Sequence, residues 1–122
     1  MNENRSDDSF QLDAEQVSQQ LKIRPEIYLK IVNSFAKTLD DKMQMLGQAL
    51  TANDAETMRS ILHELKGTAG NLRLSSIIDK QSDLHLSVKE GHSPDKLKPL
   101  YEALKKECLK LQQFLRKRAS EP

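Results

Sequence analysis

The amino-acid sequence predicts an all-α fold, an antiparallel four-helix bundle with a short extra N-terminal helix. Leu and Lys are the commonest residues, Glu, Gln and Ala are well represented, aromatic residues make up 4% and Trp is absent, a composition that favours helix over sheet. Apolar residues recur at steps of three and four through most of the chain, which is helical spacing. Only a few turn or capping residues separate the periodic segments, and links that short set successive helices side by side in opposite directions.

Residues 1–9 are polar and lack periodic hydrophobes, so a flexible tail is expected there, with the bundle domain over 10–118 and a short tail over 119–122. Asp13 followed by Gln16 has the pattern of a capping box opening a short helix with Val17 and Leu21, a lid more than a pillar. Pro25 suits a first helical position, where its missing N–H costs nothing. From there Ile27, Ile31, Phe35, Leu39, Met43, Leu46 and Leu50 form the strongest helical stripe of the chain, read as one long helix. Asn53 with Glu56 predicts the next start. The third segment carries Met58, Ile61, Leu62, Leu65, Ala69 and Leu72. Ser75 or Ser76 can cap the fourth, which uses Ile77, Ile78, Leu84 and Val88 and stops near Gly91. Ser93 and Pro94 reopen the chain, and Pro99 leaves the last start undefined by several residues. Leu100, Leu104, Cys108, Leu111 and Leu115 then mark its core face, and Arg116, Lys117 and Arg118 complement the dipole at its end.

The 122 residues fit one domain. Charged residues are 30% of the chain, but the net charge is +1, so there is no overall bias toward nucleic acid or an anionic membrane. Cys108 alone cannot build a disulfide framework or a zinc site, and it fits a reducing compartment. The polar start is no signal peptide, and no stretch approaches the roughly 18 apolar residues of a membrane span. A cytoplasmic location is expected. The initial Met favours a free-standing protein, and a formed bundle needs no second chain, so a monomer is expected.

Chemistry concentrates in His63-Glu64-Leu65-Lys66-Gly67-Thr68-Ala69-Gly70. At about 100° per residue, Met58, Ile61, Leu62, Leu65, Ala69 and Leu72 fall within roughly 40° of one direction. Measured from the core, His63 lies about 140° away, Gly67 about 180°, Gly70 about 120° and Lys66 about 80°. These four form a surface patch beside Arg59. Each helix-interior glycine costs about 1 kcal/mol relative to alanine; two beside an exposed histidine clear the approach of a second protein surface. An imidazole with an ordinary pKa of about 6.5 is largely neutral at pH 7 to 8 and can attack phosphorus through a ring nitrogen. Lys66, one turn along, can balance the charge that phosphorylation adds. No Walker-type loop or other ATP-binding signature is present, so the expected donor is another phosphoprotein.

The run His63, Lys66, Gly67, set in a helical chain of this length, resembles the histidine-containing phosphotransfer domains of two-component phosphorelays. The resemblance implies that His63 accepts a phosphoryl group at Nε2 from a receiver aspartate of a hybrid sensor kinase and passes it to the aspartate of a response regulator. It implies that the chain is a carrier without kinase activity and binds no cofactor, Mg²⁺ being supplied by the receiver. Lys66 steadies the phosphoryl group and Gly67 admits the receiver, with Arg59 and Gly70 beside them. Many family members have a further glycine ten residues after the histidine, where this chain has Arg73. A long cation there either narrows the choice of receiver or reaches the phosphoryl group.

Other readings carry less chemistry. His85, near the apolar stripe of its helix, and His92, in the Gly91 turn, read as structural or solvated. Met43, Met45 and Met58 read as core or near-core filler, Cys108 as a small buried hydrophobe, and the basic C-terminus as a solvated helix end. The competing function is a non-catalytic helical adaptor that binds a kinase or receiver domain. A bundle-core metalloprotein lacks its inward carboxylate and Glu-x-x-His ligands.

Overall fold

A computed structural model describes residues 12–119; the expected tail over 1–9, and all of that over 119–122 except Ala119, lie outside the described residues. Among these residues there are six helices and no strand: α1 (Ala14–Leu21), α2 (Pro25–Lys37), α3 (Leu39–Thr51), α4 (Ala55–Asn71), α5 (Ser75–Lys89) and α6 (Pro94–Ala119). Helix α3 packs on α4 and α6, α5 packs on the same two, and α2 and α1 are added outside this ring, α2 on α3 and α6 and α1 on α2. At the α3–α6 seam Tyr101 bonds the Met43 carbonyl at 2.8 Å while Gln112 bonds Asp40 Oδ1 at 3.1 Å, so these two helices run in opposite directions.

The helix starts follow local chemistry. Asp13 Oδ1 accepts from the Gln16 N–H at 3.0 Å and opens α1 as the sequence predicts. Pro25 takes the first turn of α2. The start of α4 lies one residue later than expected: the cap is Asp54, whose carboxylate accepts from the Thr57 N–H at 3.1 Å and the Thr57 hydroxyl at 2.6 Å. Asn53 instead takes a left-handed conformation, φ 56°, closing α3. Neither Ser75 nor Ser76 caps α5, because the cap position is Leu74. Helix α6 begins at Pro94 and runs through Pro99 to Ala119, one residue into the expected C-terminal tail.

The stripe from Ile27 to Leu50 does not form one helix. Thr38 divides it: its hydroxyl donates to the Phe35 carbonyl at 2.7 Å, and its N–H bonds the same oxygen at 3.0 Å, three residues back. A threonine that competes for a helix carbonyl in this way bends the chain. The core side of α2 is Tyr28, Val32, Phe35 and Ala36, whereas Ile27 and Ile31, expected in the core, are 37% and 45% exposed. The cause is Tyr28, fully buried, whose hydroxyl donates to the Leu72 carbonyl at the end of α4. A ring of that size with its polar tip satisfied contributes more burial than an isoleucine on the flank. Met45 is also exposed, not near-core. The other predicted stripes hold: Met58, Ile61, Leu62, Leu65, Ala69, Leu72, Ile77, Leu84, Val88, Leu104, Cys108 and Leu111 are buried together, with Ile78, Leu100 and Leu115 packed against them at the margin.

Candidate functional site

Helix α4 packs chiefly on α3 and α5, and its outer side carries the candidate residues. Burial of Met58, Ile61, Leu62, Leu65 and Ala69 sets the rotation of the helix about its axis. That rotation puts Arg59, His63, Lys66 and Gly67 at the surface, with Gly70 half-buried. A Cβ added to Gly67 or Gly70 would meet nothing within 4 Å. Close helix packing therefore does not account for either glycine, and both leave open surface next to the imidazole.

The acidic neighbour of His63 is drawn away from it. Glu64 bonds Lys42 of α3 at 2.7 Å, and the lysine holds the Glu64 carboxyl below its usual range. On the other side, half-buried His85 of α5 lines a groove together with Lys66. Its pKa is lowered by desolvation and then by the neighbouring Lys89, His63, Lys66 and Arg59 side chains. Arg59, His63 and Lys66 thus converge electrostatically on one point of the α4–α5 seam.

Arg73 is not part of that convergence. It occupies the left-handed position just past α4, φ 60°, where its N–H bonds the Gly70 carbonyl at 3.1 Å and the next N–H, of Leu74, bonds the Ala69 carbonyl at 3.0 Å. This is the two-bond ending that glycine usually closes. The guanidinium folds back onto the Gly70 carbonyl at 3.2 Å, roughly 10 Å along the helix axis from His63. In this geometry Arg73 seals a helix end and does not reach the imidazole.

His85 has the structural contacts that its place near the apolar stripe predicts. Its Nδ1 lies 3.2 Å from Nε2 of Gln81, which is fully buried and donates to the Leu62 carbonyl at 2.9 Å. The Gln81–His85 pair follows from i,i+4 spacing within α5, whereas the Gln81–Leu62 bond exists only because α5 packs on α4. His92 bonds Ser87 at 2.6 Å in the α5–α6 turn, as a structural reading predicts. Cys108 is buried, with its thiol pushed up to about 12 by desolvation, so it is inert. Among the described residues no cluster of three or more His, Cys, Asp or Glu side chains is placed to hold a metal, and no helix is long and apolar enough to cross a membrane.

An all-helical body with an exposed histidine on an open helix surface offers a face for another protein, because small-molecule sites are enclosed in clefts. A family model for the Hpt domain matches residues 30–114, and the chain belongs to that family. Membership ties it to histidine phosphotransfer in two-component signalling, in a family whose domains are phosphocarriers. No curated protein and no solved structure matched the chain.

Proposed function

We propose that His63 accepts a phosphoryl group from the aspartyl phosphate of a receiver domain in a hybrid sensor kinase and passes it to the aspartate of a response regulator. The carrying observation is the exposed imidazole in mid-helix, with Lys66 one turn on and unfilled space at Gly67. In the forward step the Nε2 lone pair of His63 attacks phosphorus, a P–N bond forms, the P–O bond breaks, and the donor aspartate leaves as its carboxylate. The return step reverses these bonds at the second receiver. Lys66 balances the added charge; Gly67 and Gly70 admit the receiver surface, and Arg59 flanks it. The receiver supplies Mg²⁺. Arg73 lies at the margin of the docking face and acts on partner choice only through the shape of the α4 end.

The body that presents the site is an antiparallel four-helix bundle in which α2 and α3 form one bent pillar. It works in the cytoplasm as a monomer and engages neither nucleic acid nor membrane. Incubation with a phosphorylated receiver should yield an acid-labile, alkali-stable phosphoprotein, and His63→Gln should abolish the label with helicity unchanged. Labelling of the substituted protein would remove His63 from this role, and no labelling by any receiver would favour the adaptor function.

A further inference from the structure

We propose that Lys42, on α3, is a positioning residue for phosphoryl transfer at His63: it holds the Glu64 carboxylate on the α3 side of α4, so that the imidazole meets its partner on a face clear of free anions. This rests on His63 being the phosphoacceptor. Glu64 follows His63 directly in the chain, about 100° further round the helix, on the flank toward α3. Its side chain is 66% exposed, and the backbone alone leaves the carboxylate several rotamers and a wide sweep. Three residues on, and so next to it on the helix surface, is Gly67, where an added Cβ would meet nothing within 4 Å. The space that admits a receiver therefore also admits Glu64, back across the face of α4 toward the imidazole.

The ion pair with Lys42 ends that sweep. Lys42 Nζ donates to Glu64 Oε1 at 2.7 Å, and among the described residues no other side chain bonds this carboxylate. The Thr68 hydroxyl, one turn on, donates to the Glu64 backbone carbonyl instead. Lys42 is the more enclosed member, its side chain 23% exposed, and it anchors a glutamate that has no second hold. An exposed pair of this kind adds little to stability, so its consequence is where it leaves the negative charge. With Glu64 held, the charged side chains one turn to either side of His63 on α4 are Arg59 and Lys66. A phosphoryl group on the imidazole brings further negative charge, which these cations balance and a free carboxylate beside it would oppose.

The test uses the full chain with a phosphorylated receiver and, separately, with phosphoramidate, a small donor that needs no docking. Lys42→Met keeps the stem and removes the charge. It should slow transfer from the receiver about fivefold at low salt, the effect of one unit-charge repulsion across about 4 Å of water, and the deficit should shrink as salt is raised. Lys42→Gln, a second neutral replacement, should behave the same way, and Lys42→Arg, which keeps the cation, should transfer at the wild-type rate. Glu64→Gln added to Lys42→Met should restore that rate although the ion pair is still missing. A purely structural role for the pair predicts the opposite, a double variant as slow as Lys42→Met. Wild-type transfer by Lys42→Met, or a slowing that Glu64→Gln does not relieve, would overturn the role given to Lys42. The phosphoacceptor assignment is decided separately: if the wild-type protein takes no label at His63 from phosphoramidate, that assignment falls and this role with it, whereas a labelled wild type beside an unrelieved Lys42→Met removes Lys42 alone.

Discussion

Gly67 and Gly70 separate stability from function more cleanly than any other residues of the site. With nothing within 4 Å of an added Cβ, the fold has no use for their lack of a side chain, and each costs about 1 kcal/mol of helix propensity. Gly67→Ala and Gly70→Ala should therefore each raise unfolding free energy by about 0.5–1 kcal/mol in a denaturant titration. Gly67→Gln should slow transfer from a phosphorylated receiver at least about tenfold, the effect of a lost 1.4 kcal/mol of docking, while phosphorylation by a small donor is unchanged. Equal slowing with both donors would mean that Gly67 acts on the imidazole and not on partner access. The placement of His63, Lys66 and both glycines was legible in sequence because a single helix with a clear core stripe sets it. Arg73 was not, since its left-handed backbone and the return of its guanidinium to Gly70 depend on how the chain leaves that helix.

Among the elements, α3 and α6 meet over a third glycine that the sequence did not mark. A Cβ on Gly47 would lie 2.7 Å from the Tyr101 hydroxyl, and that hydroxyl bonds the Met43 carbonyl at 2.8 Å. Gly47→Ala should destabilise the protein by about 1–3 kcal/mol through overpacking. Combined with Tyr101→Phe the loss should be less than the sum of the two single losses, because the clashing oxygen is gone. Strict additivity in the double-mutant cycle would show that the two residues do not compete for the same space. Element number was legible in outline, but Thr38 divides the long helix through a side-chain bond, and Tyr28 turns α2 so that Ile27 and Ile31 face outward. Periodicity ranks an isoleucine stripe above a tyrosine and cannot see the Leu72 carbonyl that receives the hydroxyl.

For the whole molecule, the titratable groups predict a stability that weakens toward acid in two stages. The folded His85 has a lowered pKa, so the unfolded chain binds its proton first; this contribution is present above the unfolded value of about 6.5 and fades as pH falls through the folded one. Asp54 and Glu64 are lowered by Thr57 and by Lys42, and their contributions fade further down, as pH falls through the carboxylate range. Unfolding titrations across pH 8 to 3 should show both stages, and His85→Gln should remove only the upper one; a variant that keeps it would assign that stage to another group. These balances all act within one helical body, on whose surface the His63 imidazole is exposed. The most direct measurement is the site of phosphate attachment: digest the chain under alkaline conditions after transfer from a phosphorylated receiver and map the modified peptide by mass spectrometry. One phosphate on His63 is the predicted result, and phosphate on His85 or His92 with His63 unmodified would contradict it.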